Sequence, residues 1–366
     1  LDLAVGDYLA HTISIYLGGG DGTFARVTNY AVGARPVGMA AADFNQDGRI
    51  DLACANYNGN SVSVLLGNGD GTFLAAVHYA VPGSPHGIAT GDLNGDGRPD
   101  LLTANYNTDN LTLLLGNGDG TFAVSGHLAV NGNPRDVAIA DFNGDERPDL
   151  VSANYDNTVS ILFGNGDGTF QARVNYGTGG QNQYQVLAED WNGDGRLDLA
   201  VSAFDSARVS VLLNRGDGRF EPAPAYQVNS QPLGMAAGDF NRDGRKDLVV
   251  VHYGADNFLV LFGNDSEPLQ PDDAAGLVFA GRGRGNRFDS SDSDYWSFTA
   301  SAGERLHLNV RNPGDPAYTG HSLYIYKPYN TQLGSFTTDY RGWGTWSGAL
   351  PMSGTYTIRV SQNYTY

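Results

Sequence analysis

The fold is decided by a nine-residue acidic stretch, Asp43-Phe-Asn-Gln-Asp-Gly-Arg-Ile-Asp51. Closely similar stretches begin at Asp92, Asp141, Asp190 and Asp239, so five copies follow one another at intervals of 49 residues. A second landmark, Gly-Asp-Gly-Thr-Phe, recurs with almost the same spacing. Self-similarity at a fixed period of this length is typical of repeat architectures, so the sequence predicts one structural unit per repeat.

Within one repeat, apolar residues alternate with a period near two in four short stretches. Around the first complete acidic loop these stretches are 37–42, 50–55, 61–66 and 73–81. Four antiparallel strands joined by Asp-Gly turns describe a propeller blade, and such blades must stack to bury their faces. We therefore predict an all-β chain. Residues 1–264 are expected to form a β-propeller of six visible four-stranded blades, or seven in the native protein.

The two ends of the repeat region break the pattern. Residues 1–4 align with residues 50–53, so Asp2 is the last acidic position of a loop whose earlier part is missing. The last repeat lacks its outermost strand before Pro268. Propellers commonly close by completing the last blade with an N-terminal segment, so the native protein is expected to begin upstream of Leu1.

Each acidic loop places carboxylate or amide oxygens at positions 1, 3, 5 and 9, with Gly usually at position 6. So many acidic groups in one turn repel each other unless a cation is present, and hard oxygen ligands select Ca²⁺. The carbonyl of Arg at position 7 can add a further ligand. The alternative is that Asp, Asn and Gly simply make good turns. About five Ca²⁺ are expected, and their predicted ligands are Asp43, Asn45, Asp47, Arg49 and Asp51; Asp92, Asn94, Asp96, Arg98 and Asp100; Asp141, Asn143, Asp145, Arg147 and Asp149; Asp190, Asn192, Asp194, Arg196 and Asp198; Asp239, Asn241, Asp243, Arg245 and Asp247.

The third loop departs from this pattern because Glu146 stands where the other loops have Gly. A β-carbon in a left-handed conformation costs about 1 kcal/mol. We expect this loop to bind calcium more weakly than the others.

The loop and the Leu-Gly-Asn-Gly-Asp-Gly-Thr-Phe turn together resemble the FG-GAP/VCBS repeats found in integrin α-subunits and in some lectins. The resemblance covers residues 1–264. It implies an extracellular protein with calcium loops on one face of the ring and partner binding on the opposite face.

Charge and composition exclude several classes of partner. The chain carries a net charge of −18, and residues 1–264 hold 30 acidic and 14 basic side chains, which argues against nucleic-acid binding. No apolar run is long enough for a transmembrane segment. The single cysteine, Cys54, cannot form an internal disulfide.

The period stops after Asn264. Residues 265–275 are interpreted as a linker, and residues 276–366 are expected to form a β-sandwich. The stretch Asp-Tyr-Trp-Ser-Phe at 294–298 and Ser-Gly-Thr-Tyr at 353–356 resemble the bacterial pre-peptidase C-terminal (PPC) domain. The resemblance implies a non-catalytic accessory role in a secreted or cell-surface bacterial protein. The aromatic segment 356–366 is a candidate for self-assembly with a neighbouring copy.

The face opposite the acidic loops carries the candidate ligand-binding residues. Repeated Asn-Tyr pairs offer flat stacking surfaces and adaptable hydrogen bonds for sugars or peptides. The alternative is that each Tyr packs between blades and each Asn caps a turn. The candidate residues are Tyr57, Tyr106, Tyr155, Tyr253, Arg35, His86 and Arg135.

Three functions are compatible with these observations. The first is a secreted or cell-surface calcium-binding adhesion module that binds an extracellular glycan or protein without catalysis. The second is a polysaccharide-active lyase or hydrolase on a propeller scaffold, for which the irregular stretch 179–184 is the only hint. The third is a structural subunit of an extracellular assembly. None of the seven histidines lies in a sequence motif with a Ser, Cys or Glu partner.

Overall fold

The computed structural model describes residues 2–222, 225–228, 230–240, 244–253, 258–261 and 263, together with six C-terminal strands between residues 293 and 362. The chain forms two compact units, Leu1–Ala255 with Gly263–Leu269, and Asp256–Phe262 with Gln270–Tyr366. Within the described ranges, no helix is long and apolar enough to cross a membrane.

The repeat region is a six-bladed β-propeller, as the 49-residue period predicts. Each blade is one antiparallel sheet, and a short 3-10 helix, η1 (Phe204–Ser206), lies in the fifth. The blades are, in chain order, β1 (Leu3–Asp7), β2 (Thr12–Gly18) and β3 (Phe24–Ala31); β4 (Pro36–Ala42), β5 (Asp51–Asn56), β6 (Ser61–Leu65) and β7 (Val77–Ala80); β8 (Pro85–Gly91), β9 (Asp100–Asn105), β10 (Asn110–Gly116) and β11 (Phe122–Ala129); β12 (Pro134–Ala140), β13 (Asp149–Asn154), β14 (Thr158–Leu162) and β15 (Val174–Gly177); β16 (Gln183–Glu189), β17 (Asp198–Ala203), β18 (Arg208–Asn214), β19 (Phe220–Pro222) and β20 (Tyr226–Gln227); β21 (Pro232–Gly238), β22 (Asp247–His252) and β23 (Phe258–Leu261).

The prediction of four strands per repeat is confirmed in the second, third and fourth blades. In the fifth, the outermost strand is divided into β19 and β20, which both pair with β18. The first and sixth blades have three described strands each, at the two places where the repeat pattern breaks. The fourth strand of the second blade begins later than its apolar pattern suggests, at Val77.

The core lies between neighbouring blades. The first strands of successive blades contact each other in order, so they form the inside of the ring. One core cluster joins Phe44 and Val64 of the second blade to Leu101 and Leu114 of the third, and all four are at most 2% exposed. Each blade therefore buries its faces against its neighbours, as expected for a stack of sheets that cannot fold alone.

Every first strand from the second blade onward carries a β-bulge near its start. In β12 the register shifts between Pro134 and Asp136, so Arg135 is the extra residue. The same shift occurs at the same place in β4, β8, β16 and β21. Bulges re-aim side chains, and this one sets the position from which Arg135 faces the inside of the ring.

The second unit contains six C-terminal strands in an antiparallel arrangement. They are β24 (Ser293–Ala300), β25 (Arg305–Arg311), β26 (His321–Lys327), β27 (Thr331–Thr337), β28 (Trp343–Ala349) and β29 (Gly354–Gln362). One sheet has the order β24-β29-β26-β27, and β25 pairs with β28. Strand β29 is thus paired on both sides, and the self-assembly expected of segment 356–366 stays a prediction. The predicted linker 265–275 lies outside the described residues, and the likeness to a PPC domain also stays a prediction.

Candidate functional site

The acidic loops connect the first and second strands of each blade and are anchored by their second residue. Phe44, Leu93 and Phe142 occupy this position and are each 1% exposed. Burial of this residue ties the loop to the core. In these loops, the polar residues at positions 1, 3 and 5 are partly or fully exposed.

The carboxylate at position 1 organises the loop by accepting hydrogen bonds from backbone amides later in the same loop. Asp43 accepts hydrogen bonds from Asp47 N at 3.0 Å and from Gly48 N at 2.7 Å. Asp47 in turn accepts one from Arg49 N at 2.9 Å. Corresponding bonds from the amide of position 6 to Asp92, Asp141, Asp190 and Asp239 measure 2.8, 2.8, 2.8 and 3.0 Å.

Position 9 has a role that the sequence analysis missed. Asp100 is fully buried, and its two carboxylate oxygens accept hydrogen bonds from Leu93 N at 2.9 Å and Gly116 N at 2.8 Å. It thereby joins the acidic loop to the hairpin turn of its own blade. The same pair of bonds is made by Asp51, Asp149, Asp198 and Asp247, and Asp2 retains the bond to the hairpin.

Burial raises the pKa of this carboxyl group in four of the loops. For Asp51, Asp100 and Asp149 desolvation is the main cause, and the two backbone amides oppose it. For Asp198 the pKa rises to about 6. The neighbouring acids at positions 1 and 5 add to the rise, so a bound cation would favour the ionised form in these four loops.

The donor set of the loops fits calcium. Positions 1, 3 and 5 supply side-chain oxygens at the surface, and each position-9 oxygen has a second lone pair beyond its backbone bond. Across the described ranges, no group of three or more His, Cys, Asp or Glu side chains is gathered closely enough to hold a metal ion. In the fifth loop, Asn241 and Asp243 lie outside the described residues. The assignment of all these residues as ligands stays a prediction.

The Arg at position 7 also ties its loop to the hairpin turn. The Arg49 side chain lies against Gly69, and its Nη1 is 3.8 Å from a carboxylate oxygen of Asp47. Arg98 repeats the 3.8 Å ion pair with Asp96. These side chains are about half exposed, so the ion pairs contribute little stability, at most about 1 kcal/mol each.

Glu146 adopts the left-handed conformation that the sequence analysis expected of its position, with φ of 63°. Gly97 and Gly195, which stand there in the neighbouring loops, have φ of 78° and 81°. Replacing Glu146 by Gly should therefore stabilise the protein by about 1 kcal/mol, since Gly adopts this conformation without strain.

Urea unfolding with and without calcium measures this gain, and Glu146→Ala is the matched control because it keeps the β-carbon. The Gly variant should also tighten calcium binding in the third loop. If Glu146→Gly is no more stable than the parent protein, and no more stable than Glu146→Ala, this account of the loop is wrong.

Neighbouring blades are joined where a hairpin turn meets the preceding acidic loop. Gly120 N donates to Phe44 O at 3.1 Å, and Gly168 N donates to Leu93 O at 3.0 Å. In the next joint, Asn214 Nδ2 donates to Phe142 O at 2.8 Å. In all three joints the acceptor is the carbonyl of the second loop residue, so order in the acidic loop also orders the blade interface.

The opposite end of the ring carries one aromatic residue per blade, at the turn after the second strand. We call these six the aromatic rim. Each backbone amide from the second blade onward donates to the carbonyl of a left-handed residue that precedes the first strand, as Tyr57 N does to Arg35 O at 2.9 Å. The aromatic rim consists of Tyr8, Tyr57, Tyr106, Tyr155, Phe204 and Tyr253.

Neighbouring rings of the aromatic rim contact one another. The ring centroids of Tyr57 and Tyr106 are 6.2 Å apart, and those of Tyr106 and Tyr155 are 6.3 Å apart. Phe204 and Tyr253 are separated by 6.3 Å. Tyr253 is 62% exposed and Tyr155 40% exposed, so the rim faces solvent.

Inside the aromatic rim lies a cavity of about 470 Å³. The bulged residues His86 and Arg135 of the first strands line it, together with Tyr184. The His86 and Tyr184 rings are 5.4 Å apart. The other lining residues are Tyr8, Pro36, Val37, Tyr57 and Tyr106.

The predicted ligand-binding residues thus separate into groups. Tyr57, Tyr106, His86 and Arg135 are brought together around the cavity, whereas Tyr155 and Tyr253 lie on the rim beside it. Arg35 packs over Tyr8, at 5.1 Å from the ring centroid, and outside the cavity lining. Tyr184, the last residue of the irregular stretch 179–184, also lines the cavity and is not among the predicted ligand-binding residues.

The Asn residues that precede the rim tyrosines are structural. Asn56 is buried and donates to Ser63 Oγ at 2.8 Å, and Asn105 donates in the same way to Thr112 at 2.7 Å. The alternative of a structural Asn therefore fits the geometry, while the tyrosines stay at the surface.

Two hydroxyl–imidazole pairs arise that the sequence did not suggest. Ser63 Oγ lies 2.8 Å from His78 Nδ1, and Thr112 Oγ1 lies 2.9 Å from His127 Nδ1. In the fourth blade the same contact is made between Ser160 and an asparagine, Asn175, at 2.8 Å. A position that accepts either His or Asn serves to link the third and fourth strands, so these pairs are interpreted as structural.

Asp136, which follows Arg135 in the chain, is partly exposed. Desolvation of its carboxyl group raises the pKa of Asp136 to about 7. Its Oδ2 accepts a hydrogen bond from Val186 N of the next blade at 3.1 Å. Gln185 makes the equivalent bond to Met235 N one blade further on. Because a neutral amide serves equally well there, Asp136 is interpreted as a link between blades.

Solved structures with this fold share little sequence with the chain. A protein of Lactobacillus plantarum matches with a TM-score of 0.60 and 17% identity, over 74% of this chain and 81% of its own. A functionally unknown protein of Desulfotomaculum acetoxidans matches with a TM-score of 0.57 and 12% identity, over 95% and 98%. The periplasmic gluconolactonase of Pseudomonas aeruginosa matches with a TM-score of 0.54 and 17% identity, over 70% and 74%. At such identities the similarity shows the fold alone. No curated protein matched the sequence at a significant level.

A family model agrees with the repeat pattern. The model described as FG-GAP-like repeat matches five overlapping segments, residues 1–54, 43–103, 92–152, 141–201 and 190–250. Each segment from the second onward begins at the first Asp of an acidic loop, and the matches together span more than half of the chain. The chain therefore belongs to the FG-GAP-like repeat family.

Proposed function

We propose that this chain is a calcium-stabilised recognition module of a secreted or cell-surface protein. It binds an extracellular glycan or matrix partner through the aromatic rim and does not change that partner chemically. The observation that carries the proposal is the aromatic rim itself, with its contacting rings around a cavity. Exposed aromatic groups in a concave site are typical of surfaces that bind sugars or peptides.

The division of labour between the two ends of the propeller supports this proposal. At one end, acidic residues are used in backbone hydrogen bonds that shape the loops and join blades. At the other end, backbone hydrogen bonds fix the turns that carry the aromatic residues, and the side chains of Tyr155 and Tyr253 are exposed. Because the acidic loops lie at the opposite end of the ring from the tyrosine rings, calcium would not contact the ligand. It would act as a structural ion that stabilises the blades that carry the rim.

An enzyme is the second candidate. His86 has a pKa lowered to about 4 by burial and by the nearby Arg135 charge, and it lines the cavity. Perturbed titratable groups in clefts are candidates for functional sites. The binding experiment described next would also detect catalysis, as the release of new reducing ends from a bound polysaccharide.

Replacing Tyr57, Tyr106 and Tyr155 together by Ala should weaken partner binding at least about tenfold, since each aromatic contact contributes about 0.5–1.5 kcal/mol. Binding is measured on a glycan and matrix-protein array and then in solution with the best ligand. The matched control changes the same three residues to Phe, which keeps the rings and removes the hydroxyl groups.

Both variants should keep the calcium stoichiometry and the melting temperature of the parent protein. Normal binding by the Ala variant would show that the rim is not the binding surface. Release of new reducing ends from a bound polysaccharide would replace the recognition function with an enzymatic one.

A further inference from the structure

We infer that the cavity inside the aromatic rim is a binding site for a carboxylated sugar, and that Arg135 is the residue that recognises the carboxylate. This inference deepens the proposed function and rests on it for the choice of a sugar as the ligand. It specifies that the ligand carries a carboxylate, that it binds in this cavity, and that one molecule binds per chain.

Arg135 is held in an aromatic cage. Its guanidinium carbon lies 4.9 Å from the ring centroid of Tyr184, 5.3 Å from that of Tyr106 and 5.4 Å from that of Tyr155. Cation–π contacts at these distances fix the plane of the guanidinium without using its hydrogen-bond donors. No hydrogen bond among the described residues uses the two Nη groups of Arg135, so these donors stay available to a ligand in a fixed orientation.

The guanidinium makes no salt bridge in the part of the chain that the structure describes. Its Nε is buried and makes no hydrogen bond there, and none of the eight residues that line the cavity is acidic. A buried polar group without a partner costs free energy. A carboxylate is the partner that a planar guanidinium binds best, through two parallel hydrogen bonds.

His86 adds an acceptor to the same cavity. Its Nδ1 lies 2.9 Å from Arg135 O, and because a carbonyl oxygen can only accept, Nδ1 carries the proton. The lowered pKa keeps the imidazole neutral at pH 7, so Nε2 has a free lone pair. A hydroxyl group of a ligand can donate to this nitrogen.

These groups together favour a sugar acid over a simple anion. A carboxylate on Arg135, a hydroxyl group on His86 Nε2 and an apolar ring face on a tyrosine would use all the features of the cavity. Acetate or phosphate would use only the first. The volume of about 470 Å³ lies within the range of about 300–1,000 Å³ that is typical of small-molecule sites.

The site occurs once among the five first strands of the given sequence. The residues that stand at the position of Arg135 in the other four are Val37, His86, Tyr184 and Leu233, none of which carries a positive charge at pH 7. The residue two positions later is Met, Ile or Val in all five strands, so the cavity is an asymmetric feature of a repeated scaffold. One carboxylated sugar per chain is therefore expected.

Isothermal titration of the calcium-loaded protein with D-glucuronate tests the inference, with D-glucose and acetate as comparison ligands. Glucuronate should bind at one site per chain and more tightly than either. Arg135→Gln should weaken glucuronate binding about 10- to 100-fold, since a hydrogen bond to a charged group contributes about 1.5–3 kcal/mol. Glucose binding should not change.

Arg173→Gln is the matched control, because it removes a positive charge from an exposed side chain that bonds to Ala129 O and lies outside the cavity lining. It should alter glucuronate affinity less than about twofold. A salt titration of the unmodified protein adds a test that needs no variant: a tenfold rise in ionic strength should weaken glucuronate binding and leave glucose binding unchanged.

The outcomes separate this inference from the proposed function. Equal binding of glucose and glucuronate, or no effect of Arg135→Gln, would overturn the carboxylate assignment and leave rim recognition standing. Acetate binding as tight as glucuronate would overturn the sugar part. Glucuronate binding that depends on Arg135, in a protein that binds no glycan or matrix partner on an array, would support this site and refute the proposed recognition function.

Discussion

Removal of calcium with an excess of EGTA is expected to lower the melting temperature of the propeller by more than about 10 °C. A loop filled at about 100 times its dissociation constant adds about 2.7 kcal/mol, and each kcal/mol shifts the melting temperature of a large domain by about 2–4 °C. Two filled loops would already reach this value, and five are predicted. The physical reason is the acidic excess of residues 1–264, which hold 30 acidic and 14 basic side chains.

Scanning calorimetry in calcium, in magnesium and in EGTA measures this effect. Asp96→Asn provides a variant control, because Asp96 is a surface position of the second loop whose hydrogen bonds are local. It should lower the melting temperature in calcium and change it little in EGTA. A melting curve that is the same in calcium and in EGTA would mean that the acidic loops are turns without a metal.

Asp100→Asn is expected to destabilise the protein by about 2–3 kcal/mol whether or not calcium is present. The change replaces one of two buried acceptor oxygens with an NH₂ group, which then faces the amide of Leu93 or Gly116. A buried donor without an acceptor costs about 1–3 kcal/mol. The effect is thus independent of any ligand role of Asp100.

Urea unfolding of Asp100→Asn and Asp96→Asn, each in calcium and in EGTA, separates the two roles. Asp100→Asn should lose stability under both conditions, whereas Asp96→Asn should lose it only in calcium. If Asp100→Asn has no cost in EGTA, then the carboxylate does not hold the loop to the hairpin, and position 9 is explained by metal binding alone.

The propeller could be predicted from the sequence because its determinants are local. The spacing of the acidic loops gives the repeat length. The alternation of apolar residues within 37–42 and 50–55 predicts two strands that pair in one blade. The three described strands of the first and of the last blade agree with the alignment of Asp2 and with the missing pattern before Pro268.

The second role of position 9 was harder to predict. Asp100 looks like a metal ligand in a list of acidic positions, yet it is the first residue of a buried strand, β9. That placement was the available signal, since a carboxylate at the start of an apolar strand must find partners in the interior. Its second partner, Gly116, is 16 residues away and becomes visible only after the hairpin folds.

The cage around Arg135 could not be predicted as a geometry. It depends on a β-bulge and on rings supplied by three different blades, Tyr106, Tyr155 and Tyr184. A weaker signal was present: one position of the first strand holds Val, His, Arg, Tyr and Leu in successive repeats, where the residue two positions later is always Met, Ile or Val. Variation at one position of a repeated strand indicates that folding of the blade does not require a particular residue there.

The joints between blades have a consequence for how such a chain can grow. Gly120 and Gly168 donate backbone amides to backbone carbonyls, so these joints do not depend on which side chains the neighbouring repeat carries. A duplicated 49-residue unit brings its own turn and its own loop, and both ends fit the copies on either side. Gene duplication can therefore lengthen the array without new complementary mutations, while single substitutions at the bulge give each copy a different chemical character.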